Sequence, residues 1–163
     1  HARADPAGFG RVAMLIRVTE APISADEAAQ AVASPAAGAI NVFLGVVRNT
    51  NLGRAVSHLV YDAYPSMAEK EMRAIAEEAK ARFGLEDCAI LHRTGRLEIG
   101  ETSLVVAVSC GHRRESYEAG LWVVNEVKKR VPVWKKEVWE DGEEWIEGPE
   151  SLGMQQAPAS MQR

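Results

Sequence analysis

The sequence has few of the features that mark a disulfide-stapled, metal-bound or membrane-spanning protein. Only two of its 163 residues are cysteines, Cys88 and Cys110, and no Cys-x-x-Cys pair is present. Two cysteines are too few for a disulfide framework, and their spacing offers no zinc site. No apolar run approaches the length needed to cross a bilayer. We therefore expect a cytoplasmic protein with reduced thiols, no metal, no cofactor and no membrane contact.

The chain also lacks an excess of positive charge. Its net charge is −4 and its isoelectric point is near 5.6. This balance argues against nucleic-acid binding, which usually needs a basic face on a basic domain. It does not exclude a small cationic pocket, because net charge says little about local fields.

No internal repeat, low-complexity block or interdomain linker divides the chain. We predict one domain over residues 14–148, preceded by an N-terminal extension or cloning remnant (1–13) and followed by a flexible C-terminal tail (149–163). Strands and helices are mixed without regular alternation, which favours an α+β fold with a largely antiparallel sheet. Strands are predicted over 14–19, 39–47, 56–61, 88–92, 103–109, 133–139 and 144–146.

Three helices are predicted between these strands. Ser24–Glu27 and Ser66–Glu69 are capping-box patterns that each open a helix. A third helix spans about 116–130 and stops before Pro132. Asp141-Gly142 predicts a hairpin turn, because this pair tolerates positive φ.

The third helix carries a lysine on its apolar face. On a helical wheel Leu121, Val124 and Val131 lie within roughly 40° of Tyr117, and Lys128 falls inside this stripe. A lysine there must reach out to water, bind an anion or lose its proton. The equally favoured alternative is a lysine that complements the C-terminal end of the helix dipole.

Other cations follow predicted strands. Lys135 and Lys136 must face opposite sides of one strand, and alone they are best explained as edge-strand charges. His112 and Arg113 stand at a strand-to-helix junction, where they could grip a phosphate or carboxylate or simply form a solvated loop. Arg48 ends a buried strand and is a binding residue or an ordinary surface arginine.

Cys110 lies two residues before His112, which raises an alternative chemistry. A histidine-activated cysteine would suit an acyltransferase or thioesterase. The sequence offers no third member for such a site, so a small, partly buried cysteine is the default interpretation. His58 and His92 lie in strand-like segments without metal-ligand spacing, and we expect them to serve packing.

Taken in order, several segments resemble the large, catalytic subunit of the molybdopterin synthase family. The resemblance covers residues 14–148. Its most specific parts are the GxVRNxNxG pattern in GVVRNTNLG, the His-Arg pair of SCGHRRESYEAG, and K-x-R-x-P-x-W-K in VKKRVPVWKKE. Each pattern alone is weak, whereas the ordered set is specific.

The resemblance implies a fold, an assembly and a reaction. The family has an α/β hammerhead-like fold with an accessory antiparallel β subdomain, and it forms a homodimer within a heterotetramer. A small ubiquitin-like sulfur carrier inserts its C-terminal Gly-Gly thiocarboxylate into the large subunit. Its sulfur goes to cyclic pyranopterin monophosphate (precursor Z), and two transfers form the dithiolene of molybdopterin.

The resemblance also implies site residues. Lys128 and Lys135 match the catalytic lysines, and we assign acid–base or electrostatic work to Lys128 and tail binding to Lys135. The substrate-binding positions are Val46, Val47, Arg48, His112, Arg113, Lys128, Lys135, Lys136 and Glu137. We expect the cations to converge on one cavity that holds two anionic reactants. The division of roles between the lysines, the order of the transfers and any sharing of the site across a dimer stay open, as does a non-catalytic scaffold for a ubiquitin-like partner.

Overall fold

The fold combines two four-stranded sheets and three helices. The computed structural model describes residues 13–150, so most of the predicted N-terminal extension and C-terminal tail lie outside the described residues. In chain order the elements are β1 (Ile16–Thr19), α1 (Ala25–Val32), β2 (Ala39–Val46), β3 (Thr50–Asn51), β4 (Arg54–Ala55), β5 (His58–Ala63), α2 (Pro65–Phe83), β6 (Asp87–Arg93), β7 (Gly95–Glu98), β8 (Thr102–Cys110), α3 (Arg113–Arg130), β9 (Val133–Trp139) and β10 (Gly142–Glu147).

The main sheet has the strand order β1-β6-β8-β2, and the accessory sheet has the order β10-β9-β5-β7. Only β1 and β6 pair in parallel; the other neighbours in both sheets are antiparallel. The predicted α+β class, with a largely antiparallel sheet and an accessory antiparallel sheet, is therefore confirmed.

Helices cover both faces of the main sheet. Leu104, Val106 and Val108 of β8 pack with α2 and α3, whereas Val105 and Ala107 pack with α1. Successive side chains of a strand point to opposite faces, so a strand covered on both sides needs an uninterrupted apolar run. This explains why β8 is apolar along almost its whole length.

The helix starts differ from the predictions in two places. Ser24 Oγ accepts a hydrogen bond from the Glu27 amide at 3.1 Å, so the first cap is confirmed. The second is wrong, because α2 begins at Pro65 with Tyr64 as its N-cap and Ser66 lies inside the first turn. Proline at the first helical position has its φ already set for a helix. The third helix also begins earlier than predicted, at Arg113.

Two hairpins, β3–β4 and β9–β10, can be compared with the predictions. Residues 50–55 form the short β3–β4 hairpin, whose Leu52 and Gly53 have φ values of 50° and 77°. Two positive φ values suit a tight hairpin turn. The β9–β10 hairpin forms as predicted, but Gly142 pairs with Trp139 and its φ is not positive. Within residues 13–150, no helix is long and apolar enough to cross a membrane.

Candidate active site

A narrow cavity lies where the main sheet, the accessory sheet and the end of α3 meet. Its volume is about 70 Å³, and it is lined by Phe43, Gly45, Tyr61, His92, Ser103, Leu104, Val127, Lys128, Val131, Val133, Lys135 and Glu147. Pockets for drug-sized ligands are roughly 300–1,000 Å³. The cavity of a single chain therefore suits a slender group better than a whole bicyclic ring.

Lys135 enters the cavity from the middle of the accessory sheet. Its Nζ lies 2.8 Å from Glu147 Oε2. A register shift between Trp145 and Glu147 sets Glu147 opposite Lys135 across the β9–β10 pair. Burial disfavours the charge on Lys135, but the hydrogen bond to Glu147 and the nearby Tyr61 and carboxylates raise the pKa of Lys135 above its ordinary value.

Lys128 reaches the same carboxylate from the last turn of α3. Its Nζ lies 3.7 Å from Glu147 Oε1, and its side chain is 56% exposed. The predicted apolar stripe is confirmed only in part: Val124 and Val131 are buried, but Tyr117 and Leu121 are 69% and 65% exposed. The face that packs on the sheet is instead formed by small and β-branched residues: Ser116, Ala119, Val123, Val124 and Val127. Lys128 thus lies at the cavity mouth.

Glu147 is the shared partner of both lysines. Burial alone would favour its neutral form, but the hydrogen bond and charge of Lys135, with a contribution from Lys128, lower the pKa of Glu147. No sequence pattern singles out this residue, because one glutamate in an acidic C-terminal stretch looks like a surface charge. Only the β10 bulge brings it to the lysines.

His92 and Tyr61 form an aromatic wall of the cavity. Their rings meet edge to face with centroids 5.3 Å apart. His92 Nδ1 lies 3.0 Å from the Arg93 carbonyl oxygen, which can only accept, so Nδ1 carries the proton. Burial lowers the pKa of His92 to about 4, and burial raises the pKa of Tyr61. The imidazole is therefore neutral at physiological pH, with Nε2 as a potential acceptor.

Lys136 and Glu137 lie outside the cavity. Lys136 points to the opposite side of β9, as strand alternation requires, and pairs with Glu143 at 3.0 Å. Because β9 is an inner strand, the edge-strand interpretation of these lysines is wrong. Buried Glu137 accepts hydrogen bonds from Asn51 Nδ2 at 2.9 Å and from the Trp139 indole, so it anchors the β3–β4 hairpin.

The remaining predicted residues lie along β2 and at its two ends. Cross-strand pairing places Ala39 opposite Cys110 and Val46 opposite Thr102. His112 and Arg113 therefore stand beside the start of β2, whereas Arg48 follows its end, and all three are exposed. Eight residues of strand separate the two ends by roughly 25 Å.

A single chain thus brings Lys128 and Lys135 together but leaves the other four predicted cations outside the cavity. The two valines differ as well. Val46 is 48% exposed at the end of β2, whereas Val47 is buried beneath the hairpin. Neither valine lines the cavity of the single chain.

Cys110 does not form a catalytic pair with His112. It is buried, and its thiol contacts the backbone carbonyl oxygen of His112 at 3.1 Å rather than the imidazole. Burial raises the pKa of the Cys110 thiol, which disfavours the reactive thiolate. This geometry counts against the acyltransferase and thioesterase alternative.

Comparison with known proteins places the chain in a family. Residues 18–130 match the model of the MoaE protein family. A molybdopterin synthase catalytic subunit from Pyrococcus abyssi is 55% identical over 123 residues, covering 76% of this chain and 83% of that protein. The Bacillus subtilis protein of the same name is 41% identical over 129 residues, covering 79% and 82%.

Solved structures give the same result. The crystal structure of Staphylococcus aureus molybdopterin synthase superposes with a TM-score of 0.77 at 35% identity, covering 80% of this chain and 96% of that chain. A Helicobacter pylori complex of subunits 1 and 2 of molybdopterin-converting factor shares the fold, with a TM-score of 0.66 at 19% identity over 80% of this chain and 88% of that chain. The chain therefore belongs to the MoaE family, whose matched relatives are molybdopterin synthase catalytic subunits, enzymes of molybdopterin synthesis.

Proposed function

We propose that this chain transfers sulfur from the C-terminal thiocarboxylate of a small ubiquitin-like carrier to cyclic pyranopterin monophosphate, as the catalytic subunit of a molybdopterin synthase. The observation that carries the proposal is the convergence of Lys128 and Lys135 on one carboxylate in a narrow cavity. A thiocarboxylate has the same charge and nearly the same shape as that carboxylate.

The cavity dimensions favour the carrier tail as its occupant. A Gly-Gly end has no side chains, so it fits a channel of about 70 Å³ that would exclude bulkier chains. Lys135 is held in place by its ion pair and by its position on an inner strand. It therefore binds the tail and stabilises the negative charge that develops on the acyl oxygen.

Lys128 stands at the mouth, where the pterin would meet the tail. Its exposure favours an electrostatic role over one that depends on burial in an apolar stripe. In the reaction the thiocarboxylate sulfur attacks a side-chain carbon of the pterin and forms a carbon–sulfur bond, while the carbon–oxygen bond at that carbon breaks and its oxygen leaves as water or with the phosphate. Water then cleaves the acyl–sulfur bond, so that the carrier leaves as a carboxylate and the sulfur stays on the pterin. A second carrier repeats the cycle.

Arg48, His112 and Arg113 suit the substrate phosphate, because charge-assisted hydrogen bonds to phosphate are strong. Their separation along β2 supports a site made by two copies. The outer edge of β2 is unpaired within the described chain, and apolar side chains of β2 and α3 are exposed there: Ile40, Leu44, Val46, Tyr117 and Leu121. An exposed apolar edge of this kind favours association.

A two-fold axis beside β2 would run the two strands antiparallel. The start of β2 in one copy would then lie near its end in the other. His112 and Arg113 of a second copy would approach the cavity and Arg48 of the first copy. We therefore propose a central homodimer with a carrier at each end, a heterotetramer. The two cysteines of this chain are free and buried, which suits the reducing cytoplasm.

A reconstituted assay with thiocarboxylated carrier and pyranopterin substrate tests the proposal. Lys135→Ala and Lys128→Ala should each lower the rate of dithiolene formation by about 100-fold or more, since preorganised charge at a developing anion contributes that much. Lys129→Ala is the matched control on the exposed side of α3 and should retain the rate.

Three outcomes would count against the proposal. Full activity in folded, carrier-binding Lys135→Ala and Lys128→Ala variants would remove the lysines from the mechanism. Loss of turnover in Cys110→Ser would favour the thiol alternative. Absence of any product with wild-type protein would favour a scaffold that only docks the carrier.

A further inference from the structure

Glu147 occupies the point at which the incoming anion is expected to bind. Its two carboxylate oxygens each contact a different lysine, Lys135 at 2.8 Å and Lys128 at 3.7 Å. Its side chain is 41% exposed and lines the cavity from β10. The carboxylate is therefore open to exchange, because it is neither sealed in the core nor free in solvent.

We propose that Glu147 is a positioning residue, an internal counter-ion that holds Lys128 and Lys135 on one point and is displaced by the carboxylate end of the carrier tail. The inference rests on the proposed function, because it takes an anionic tail as the occupant. Two ammonium groups near one point repel each other. A bridging carboxylate offsets that repulsion and keeps the site assembled between turnovers.

The unequal contacts indicate how the exchange proceeds. Lys135 makes the short, hydrogen-bonded contact, whereas the Lys128 contact is at the outer limit of an ion pair on a more exposed side chain. The tail can therefore engage Lys128 first and then replace Glu147 on Lys135. One anion replaces another, so the charge balance of the cavity is preserved. The return of Glu147 competes with the spent carboxylate tail and favours its release.

A purely structural role makes the opposite prediction. If Glu147 only fastened β10 to its neighbours, its removal would loosen the cavity wall and weaken tail binding. Glu143 provides the matched control, because it pairs with Lys136 at 3.0 Å on the same hairpin but outside the cavity. Glu147→Gln and Glu143→Gln each remove one negative charge from β10 while keeping the side-chain length.

Calorimetric titration with two forms of the carrier tests the inference. One form ends in the Gly-Gly carboxylate, and the other lacks the last two glycines. Glu147→Gln should bind the intact carrier about tenfold more tightly than wild type, which lies within the 5- to 150-fold range typical of coupled sites. It should bind the truncated carrier as tightly as wild type does. Glu143→Gln should match wild type with both forms.

Turnover measurements add a readout that a structural role would not move in this direction. Glu147→Gln should lower KM for the thiocarboxylated carrier and also lower kcat, because release of the spent tail slows. Unchanged or weaker binding of the intact carrier by Glu147→Gln would overturn the inference. If wild type bound the intact and the truncated carrier equally tightly, the carrier tail would not bind in the cavity. The proposed function would then be wrong, and the inference with it.

Discussion

His92 is a neutral, buried base in the cavity that also holds Lys128, Lys135 and Glu147. Its Nδ1–H is committed to the Arg93 carbonyl, and its ring packs on Tyr61. Burial is the main cause of its low pKa, and the positive charge of Lys128 adds to it. A protonated imidazole would lack a solvation shell there, so acid should act on the fold through this residue.

Stability should therefore fall in mild acid. The pKa of His92 is about 4 in the folded chain, against 6.5 for an ordinary histidine. Between these values the unfolded chain binds a proton that the folded chain rejects, so stability is lost as pH falls through this window, by up to about 3 kcal/mol. His92→Gln should flatten the dependence, measured as urea unfolding free energy at pH 7 and pH 5.

Measuring between pH 7 and pH 5 separates the effect of His92 on stability from that of Glu147. Glu147, with a lowered pKa, contributes to acid sensitivity only below the ordinary glutamate value of 4.5. His112→Gln, at an exposed N-cap position, serves as the control variant. An equal loss of stability between pH 7 and 5 in His92→Gln and wild type would show that other groups carry the effect.

Arg130 links the two long helices, α2 and α3, through ion pairs. From the last turn of α3 its guanidinium bonds Glu71 at 2.7 Å and Glu78 at 2.6 Å on α2, and Glu126 at 3.4 Å on its own helix. These carboxylates raise the pKa of Arg130, the Glu78 hydrogen bond foremost. The same helix end carries Lys128, so this network also fixes one side of the cavity mouth.

Arg130→Ala should destabilise the fold by about 1–2 kcal/mol, more than an isolated surface pair, because it leaves three carboxylates close together in a half-buried site. Arg114→Ala breaks only the exposed i,i+4 pair with Glu118 on the same helix and should change stability much less than Arg130→Ala. Thermal or urea unfolding of both variants measures the difference. Equal losses would mean that the α2–α3 network adds nothing beyond a surface pair.

At the scale of the whole molecule, the antiparallel pairing of β2 with β8 decides where the cations lie. It sends Arg48 to the cavity end of β2 and His112 with Arg113 to the other end. In the proposed site a second copy would supply the cations that one chain leaves apart. In the proposed homodimer each cavity would therefore receive part of its positive charge from the neighbouring subunit.

Mixing two inactive variants tests whether sites are shared. Lys135→Ala and Arg113→Ala should each be inactive alone. In a mixed dimer one site would receive both wild-type residues, so random mixing should restore about a quarter of wild-type activity. Sedimentation should show two copies throughout. Activity of the mixture no greater than the sum of the separate variants would place each site within one chain.

Much of the fold followed from local sequence patterns. The capping box at Ser24 and the apolar run of β8 each carry their structural reason within a few residues. The second capping box failed because Pro65 competed with it within the same short stretch. The helical stripe predicted on α3 failed only at Tyr117 and Leu121, because aromatic and leucine side chains can also face outward where another subunit is proposed to cover them.

By itself the sequence determined the α+β class, the main strands and helices, the alternating directions of Lys135 and Lys136, and the resemblance that pointed to the MoaE family. These depend on short-range periodicity and on ordered motifs. Only the tertiary structure decided that Lys128 and Lys135 meet at Glu147, that His92 and Tyr61 wall the cavity, and that Arg48 lies a strand length from Arg113. Those relations depend on strand register, on a bulge and on which edges are left unpaired, none of which leaves a local trace in the chain.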